Sequence, residues 1–269
     1  MDRVLLSIEA GVAHVRMNRA DKRNGLDLAM FEALIATGEQ VAADRSIRAV
    51  VLSGEGAAFC AGLDWKAFLG DPEASRKLLS RDVQKSPANV AQRACWIWTE
   101  VPVPVIAGVH GAAFGGGLQL ALACDVRLVA PEAQLSVMEI RYGLIPDMTG
   151  SQTLLRLVRE DIAKELVFTG RVVTAEEAVR IGLATRVCAD PVAAAHEMAR
   201  GIAAQSPDAI RAGEALFTRA PHLTVEQALA YETELQLALL GSPNQMAAAR
   251  AAITKPSGGA ASAGGDVKQ

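Results

Sequence analysis

The sequence predicts an α/β fold, and three observations carry that prediction. Short β-branched runs alternate with helical patterns through about residue 190. Two glycine-punctuated segments, FCAGLD (59–64) and HGAAFGGGLQLALACD (110–125), each read as a strand entering a glycine turn and then a helix. From Pro191 onward the pattern is helical only, broken at Ser206-Pro207, Ala220-Pro221 and Ser242-Pro243.

Taken in order, the chain opens with VLLSIEAGVAHVRM, two alternating runs joined at Glu9, Ala10 and Gly11, which is a hairpin rather than a signal peptide. Further strands are expected at RAVVLSG (48–54), at 103–109, at DVRLVA (125–130) and at LATRVC (183–188). A helix is expected from Gly116 through Cys124. The expected organisation is a core over 1–190, a helical region over 191–255, and a tail over 256–269 whose small residues bury too little surface to order it. There is no internal repeat.

A chain of 269 residues that is 51% apolar can bury a full core. Its net charge of −3, with no basic face, argues against nucleic acid as a partner. Cys60, Cys95, Cys124 and Cys188 form no C-x-x-C pair and no zinc spacing with His14, His110, His196 or His222, so no metal is expected and the thiols read as reduced, in a cytoplasmic protein. The long apolar run 101–124 is divided by Pro102, Pro104 and the glycine triplet, so no membrane span is expected.

The glycine segments point to chemistry. A helix start leaves backbone N–H groups unpaired, and two such groups can hold one oxyanion. Gly115, Gly116 and Gly117 let another molecule approach the main chain; close strand–helix packing would use the same glycines. The triplet lacks the G-x-G-x-x-G offsets and the following acidic residue of a dinucleotide site. Cys60 reads as a core residue, since no histidine motif accompanies it, and His110 as a turn residue.

NRADKRNGLD, FCAGLDWK, GVHGAAFGGGLQLALACD, EIRYGLIPDMTGSQTL and TGRVVTAEEAVRIGLATRV, in unbroken order between residue 3 and about 250, resemble the crotonase (enoyl-CoA hydratase/isomerase) superfamily. The resemblance implies a spiral of ββα units, a C-terminal helical trimerisation region giving a homotrimer or dimer of trimers, and acyl-CoA thioesters as substrates, with coenzyme A entering on the substrate and no separate cofactor. It implies oxyanion donors at the N–H groups of Leu63 and Gly116, which would stabilise a thioester enolate. It also implies a CoA path along Arg23, Gly25, Ala61, Asp64, Trp65 and Lys66, with Lys22 a further charge for the phosphates, and substrate contacts at Gly115, Met138 and Leu144. Residues 77–98 are expected to shape the acyl pocket, while AAARAAITKP departs from the family's CoA-anchoring last helix.

The carboxylates depart from the hydratase pattern. Hydratases carry glutamates at the positions of Gln119 and Glu139, and an amide exchanges no proton at ordinary pH. Glu139 followed by Asp147 is instead similar to dienoyl-CoA isomerases, although those also place an aspartate at the position of Gln119. The expectation is therefore double-bond migration, with Glu139 the base and Asp147 the proton donor. The alternatives are a hydratase working through Glu139, with Gln119 orienting water, and a binding protein of the same fold with reduced catalysis. Asp147 also precedes MTGSQTLLRLV at a position that reads as a helix N-cap.

Overall fold

The structure, a computed structural model, describes residues 2–68, 71–82, 84 and 86–254, so the expected tail at 256–269 lies outside the described residues. The chain divides into two compact units after Ala204. In the first unit the strands are β1 (Val4–Glu9), β2 (Val12–Met17), β3 (Ala49–Gly54), β4 (Val105–Val109), β5 (Ala112–Phe114), β6 (Val126–Val129), β7 (Gln134–Ser136), β8 (Val173–Thr174) and β9 (Arg186–Val187). Its helices are α1 (Leu28–Ala43), α2 (Trp65–Phe68), α3 (Pro72–Leu78), α4 (Val90–Glu100), α5 (Gly116–Leu122), α6 (Gly150–Leu157), α7 (Glu160–Thr169), α8 (Ala175–Arg180) and α9 (Pro191–Ala203).

The main sheet runs β1-β2-β3-β4-β6-β9, parallel except for the β1–β2 hairpin. Ala10 and Gly11 close that hairpin with positive φ at both positions, as a two-residue primed turn requires. A second sheet, β5-β7-β8, is parallel between β5 and β7 and antiparallel between β7 and β8. The strand expected over 183–188 shortens to Arg186–Val187 because Leu183 and Ala184 close the turn after α8, where Leu183 O accepts Arg127 Nε and Ala184 N–H donates to Ala178 O.

Strand alternation divides the packing into two layers. Ala13, Val15, Met17, Val50 and Leu52 face the large core with α1 and α4, where Phe31 and Trp98 are fully buried. Val12, Ala49, Val51, Ile106 and Leu128 face the other way, onto Ala195, Ala199 and Ala203 of α9. These alanines recur every four residues, so they form one helix stripe that lies close on the sheet. The helical region expected from Pro191 therefore begins with a helix of the core unit, and the division falls after Ala204 rather than at 190.

The second unit consists of α10 (Pro207–Arg219), α11 (Val225–Leu239) and α12 (Pro243–Thr254). Each expected break sits at a helix start: Ser206 caps α10 with Pro207 at its first turn, Pro221 lies in a 3-10 turn, and Pro243 opens α12. None of its described residues is buried, and Phe217, Val225, Leu237 and Ile253 are prominently exposed. Among the described residues no helix is long and apolar enough to cross a membrane.

One polar chain interrupts the apolar contact under α9. His14 Nε2 lies 2.8 Å from Ser53 Oγ, and its Nδ1 lies 3.1 Å from His196 Nε2 on α9, the two rings meeting edge to face at 4.4 Å. Burial, assisted by the charges of His196 and Arg16, pushes His14 down to about 4, and burial lowers His196 as well. Above about pH 6.5 the ring is neutral folded and unfolded alike. Between about 6.5 and 4 the unfolded chain takes up a proton that folded His14 refuses, so stability falls as the pH falls through that window. The expected result is a steeper decline of Tm between pH 7 and 4.5 for the parent than for His14→Gln. Parallel declines by differential scanning calorimetry would contradict it.

Candidate active site

Strands β3 and β4 are parallel neighbours, and both glycine loops leave from their C-terminal ends, where open α/β sheets place ligands. The loops are laced together: Phe59 N–H donates to His110 O, Cys60 N–H to Ala112 O, and Phe114 N–H to Cys60 O. Gly62 has φ 86°, and a Cβ there would stand 2.6 Å from Phe114 O and 3.7 Å from Gly116 N. No residue with a side chain fits that crossing. Gly115 caps α5 with φ 51°, and a Cβ on it would lie 3.4 Å from Glu139 Oε1. The N–H groups of Leu63 and Gly116 have no acceptor among the described residues.

A cavity of about 60 Å³ joins them, lined by Ala61, Leu63, Trp65, Gly115, Gly116, Met138 and Glu139, all expected, and by Gly62, Phe114 and Tyr142. Tyr142 lies three residues after Glu139 and stacks on Trp65, with centroids 4.6 Å apart and planes inclined by 26°. Glu139 opens the 3-10 turn Glu139–Tyr142. Its Oε1 accepts from Gln119 Nε2 at 2.6 Å, and its Oε2 is buried without a partner. Burial pushes its carboxyl above the ordinary glutamate range; the negative charge of Asp147 adds to this, against opposing hydrogen bonds from its own N–H and from Gln119.

Gln119 is 2% exposed and spends its amide inside the protein. Its Oε1 accepts from Met148 N–H at 2.8 Å and Gly150 N–H at 2.9 Å, while Nε2 donates to Glu139. Gln119 thus clamps Glu139 to the segment that opens α6 and keeps one amide N–H for the water it was expected to orient. That clamp also corrects the capping expectation for Asp147. Helix α6 starts at Gly150 with Thr149 as its N-cap, no side chain caps it, and the Gln119 carbonyl takes the free N–H groups there.

Asp147 lies outside the first cavity. It lines a second, of about 500 Å³, between α4 and residues 145–152. Its carboxyl stays open to solvent, and the desolvation it does undergo moves it upward too. Met148, next to Asp147 in the chain, is buried against the glycine triplet: a Cβ on Gly116 would stand 2.6 Å from its Sδ.

The remaining expected contacts are distributed around this centre. Arg23 takes φ 49°, and its carbonyl accepts from Ala61 N–H at 2.9 Å. The Gly25 carbonyl accepts from Arg19 Nη1 at 2.9 Å. Both carbonyls thus already serve the fold. The Asp64 carboxylate is engaged by Arg19 at 2.8 Å. Lys66 is exposed on α2, and Leu144 is 46% exposed and lines neither cavity.

Two residues passed over in the sequence hold the first loop. Asn24 is fully buried with φ 55°; its amide donates to Glu55, Ala58 and Phe59 carbonyls and accepts from Arg19 N–H. Arg19 pairs with Asp64 and Asp27, and Arg3 with Asp27 at 2.6 Å. Burial alone would raise Asp27, but hydrogen bonds from Arg3 and Met30 N–H together with Arg19 bring it below the usual range. The Asn24-Gly25 dipeptide was the available signal, a turn pair whose asparagine tolerates left-handed φ. Cys60 is buried, donates to Asn24 O at 3.1 Å and is pushed up to about 12 by burial, as a packing residue should be. Among the described residues no group of three histidine, cysteine or acidic side chains is arranged to hold a metal.

The family model described as enoyl-CoA hydratase/isomerase matches residues 7–256. The chain belongs to that family. It is 38% identical over 217 residues to the Mycobacterium tuberculosis protein named "Probable enoyl-CoA hydratase EchA14", covering 80% of each chain. It is 29% identical over 267 residues to the rat mitochondrial Delta(3,5)-Delta(2,4)-dienoyl-CoA isomerase, covering 93% of this chain and 78% of that one. A crystal structure of enoyl-CoA hydratase from Mycobacterium smegmatis superposes with a TM-score of 0.82 at 32% identity, over 93% of this chain and 96% of the other. The fold is accordingly the crotonase α/β fold of this enzyme family.

Two substitutions probe the geometry. Gly116→Pro removes one N–H at a first-turn position that accepts proline, and its Cβ, 2.6 Å from the Met148 sulfur and 3.0 Å from a Leu26 methyl, requires those side chain ends to shift. The expected result is a loss of turnover of about 10²- to 10³-fold with an unchanged far-ultraviolet spectrum. Gln119→Leu strands two backbone N–H groups, so urea titration should show a loss of about 2 kcal/mol or more, whereas Gln119→Glu, which keeps an acceptor, should lose less.

Proposed function

We propose that this family member moves a proton, and with it a double bond, within an unsaturated acyl-CoA, as a dienoyl-CoA isomerase does. The observation that carries the reading is the placement of two carboxyls, both shifted upward: Glu139 in the cavity with the Leu63 and Gly116 N–H groups, which have no acceptor among the described residues, and Asp147 in the second cavity. The thioester oxygen would sit at Leu63 and Gly116, whose N–H groups take up the charge as an enolate forms. Glu139, ionised, removes a proton from the carbon next to that carbonyl. Asp147, protonated, delivers one to the far end of the conjugated system. The double bonds shift without net change in mass, and solvent returns each carboxyl to its starting state. Burial raises both carboxyls, so each holds its proton to a higher pH than a free carboxylate does.

Hydration is the second reading, favoured by the resemblance to a relative named as a hydratase at 38% identity. Against it stands Gln119, whose carbonyl already accepts two N–H groups and whose amide nitrogen is bound to Glu139, which leaves a single N–H for a water. Coenzyme A would pass Arg23 and Lys66 and reach the thiol end at Trp65. The exposed apolar side chains of α10, α11 and α12 support assembly as a trimer or a dimer of trimers. The free cysteines support a cytoplasmic setting.

A thioester panel followed by mass spectrometry separates the readings, since isomerisation leaves the mass unchanged and hydration adds one water. Under isomerisation Glu139→Gln and Asp147→Asn each cost about 10²- to 10⁴-fold in kcat. The double variant then costs well under the product of the two, because both act on one proton path. A mild Asp147→Asn variant together with water uptake on crotonyl-CoA would replace isomerase with hydratase. A monomer in light scattering at micromolar concentration would remove the assembly.

A further inference from the structure

The cavity that holds Glu139 is smaller than its chemistry requires. Its volume, about 60 Å³, falls well short of the roughly 300 Å³ at which ligand pockets begin, yet Leu63, Gly116 and Glu139 all line it. Of the residues around it, Tyr142 is the one that is exposed, at 53%, which places it at the mouth. There its ring stacks on Trp65, with 4.6 Å between centroids. Trp65 follows Leu63 by two residues and Tyr142 follows Glu139 by three, so the stack joins the donor loop to the turn that carries the carboxyl.

No hydrogen bond holds the two rings together. Neither the Tyr142 hydroxyl nor the Trp65 indole N–H has a partner among the described residues. Their supports differ. Trp65 is partly buried and follows an anchored residue: Asp64 N–H donates to Leu26 O at 3.0 Å, and the Asp64 carboxylate is held by Arg19. Tyr142 belongs to a turn whose main chain is tied as well, Arg141 N–H donating to Met138 O and Leu144 N–H to Glu139 O. Its ring, however, is half in solvent, and the space beside Gly143 is open, with nothing within 4 Å of where a Cβ would stand. The Tyr142 ring can therefore rotate away about its own side-chain bonds while Glu139 and Trp65 stay in place.

We infer that Tyr142 is a gate: stacked on Trp65 it closes the catalytic cavity, and it swings aside when a thioester enters, leaving the freed indole face to the sulfur and first carbons of the thiol arm. The inference rests on the acyl-CoA reading and gives Tyr142 a part in it. Sulfur against an aromatic ring is itself favourable, so the indole exchanges one face contact for another. An aromatic stack favours the closed form by about two- to tenfold, and binding is weakened by the same ratio, since only open molecules are competent.

The probe is octanoyl-CoA, a saturated thioester with no double bond to move or hydrate, so the outcome does not depend on which reaction the enzyme performs. In Tyr142→Ala, with folding checked by circular dichroism, calorimetry should give a Kd about two- to tenfold below the parent's, because the closed form no longer competes. A side chain that only lined the path would do the opposite, its loss weakening binding. Tyr142→Phe, which keeps the ring, should bind as the parent does. The emission of Trp65, taken as the difference between the parent and Trp65→Phe, should shift when octanoyl-CoA is added, a reading that needs no variant at position 142. A Kd for Tyr142→Ala equal to or above the parent's, or a Trp65 emission unmoved by saturating octanoyl-CoA, would overturn the gate while the acyl-CoA reading survives. If octanoyl-CoA binds none of these proteins, both fall together.

Discussion

A buried primary amide has to spend its hydrogen bonds, and Gln119 spends three of them on groups far apart in sequence. Its carbonyl fixes the main chain at Met148 and Gly150, and its nitrogen fixes Glu139. Glu139, Met148 and the start of α6 are thereby set relative to one another. A glutamate at this position would face Glu139 Oε1 across 2.6 Å and would need a shared proton to remain there. The amide avoids that conflict while keeping the geometry. It gives up an acid and gains a fixed frame.

The backbone part of the site was legible because glycine spacing is a local signal. FCAGLD and HGAAFGGG state where the chain must turn sharply and come close, and the two loops meet there. Glu139 was legible through its motif. The roles of Gln119 and Asp147 were not, because the number of free hydrogen bonds on an amide and the residue that caps a helix depend on partners about thirty residues away. Thr149 displaced Asp147 as the cap for that reason. Asp64, read as a ligand contact, is held by Arg19, a pairing between loops that no local pattern announces.

The outer layer followed the same division. The helices after Pro191 were evident from their prolines and periodicity, but the allegiance of the first of them was not. Ala195, Ala199 and Ala203 make a stripe of small side chains, and their size is what lets α9 lie close on the sheet. Burial of small side chains is nearly invisible to hydrophobicity patterns and is decided by the surface that receives them.

Cys60 sits in the loop that leads to Leu63, and the proposed unsaturated thioester is itself an electrophile that adds thiolates at its β-carbon. A cysteine so near would ordinarily be a hazard. The sulfur is fully buried, its S–H is turned to the Asn24 carbonyl and burial pushes its ionisation up to about 12, so the thiol form is strongly favoured at neutral pH. The packing that seats the first glycine loop thus also keeps the enzyme from being alkylated by its own substrate.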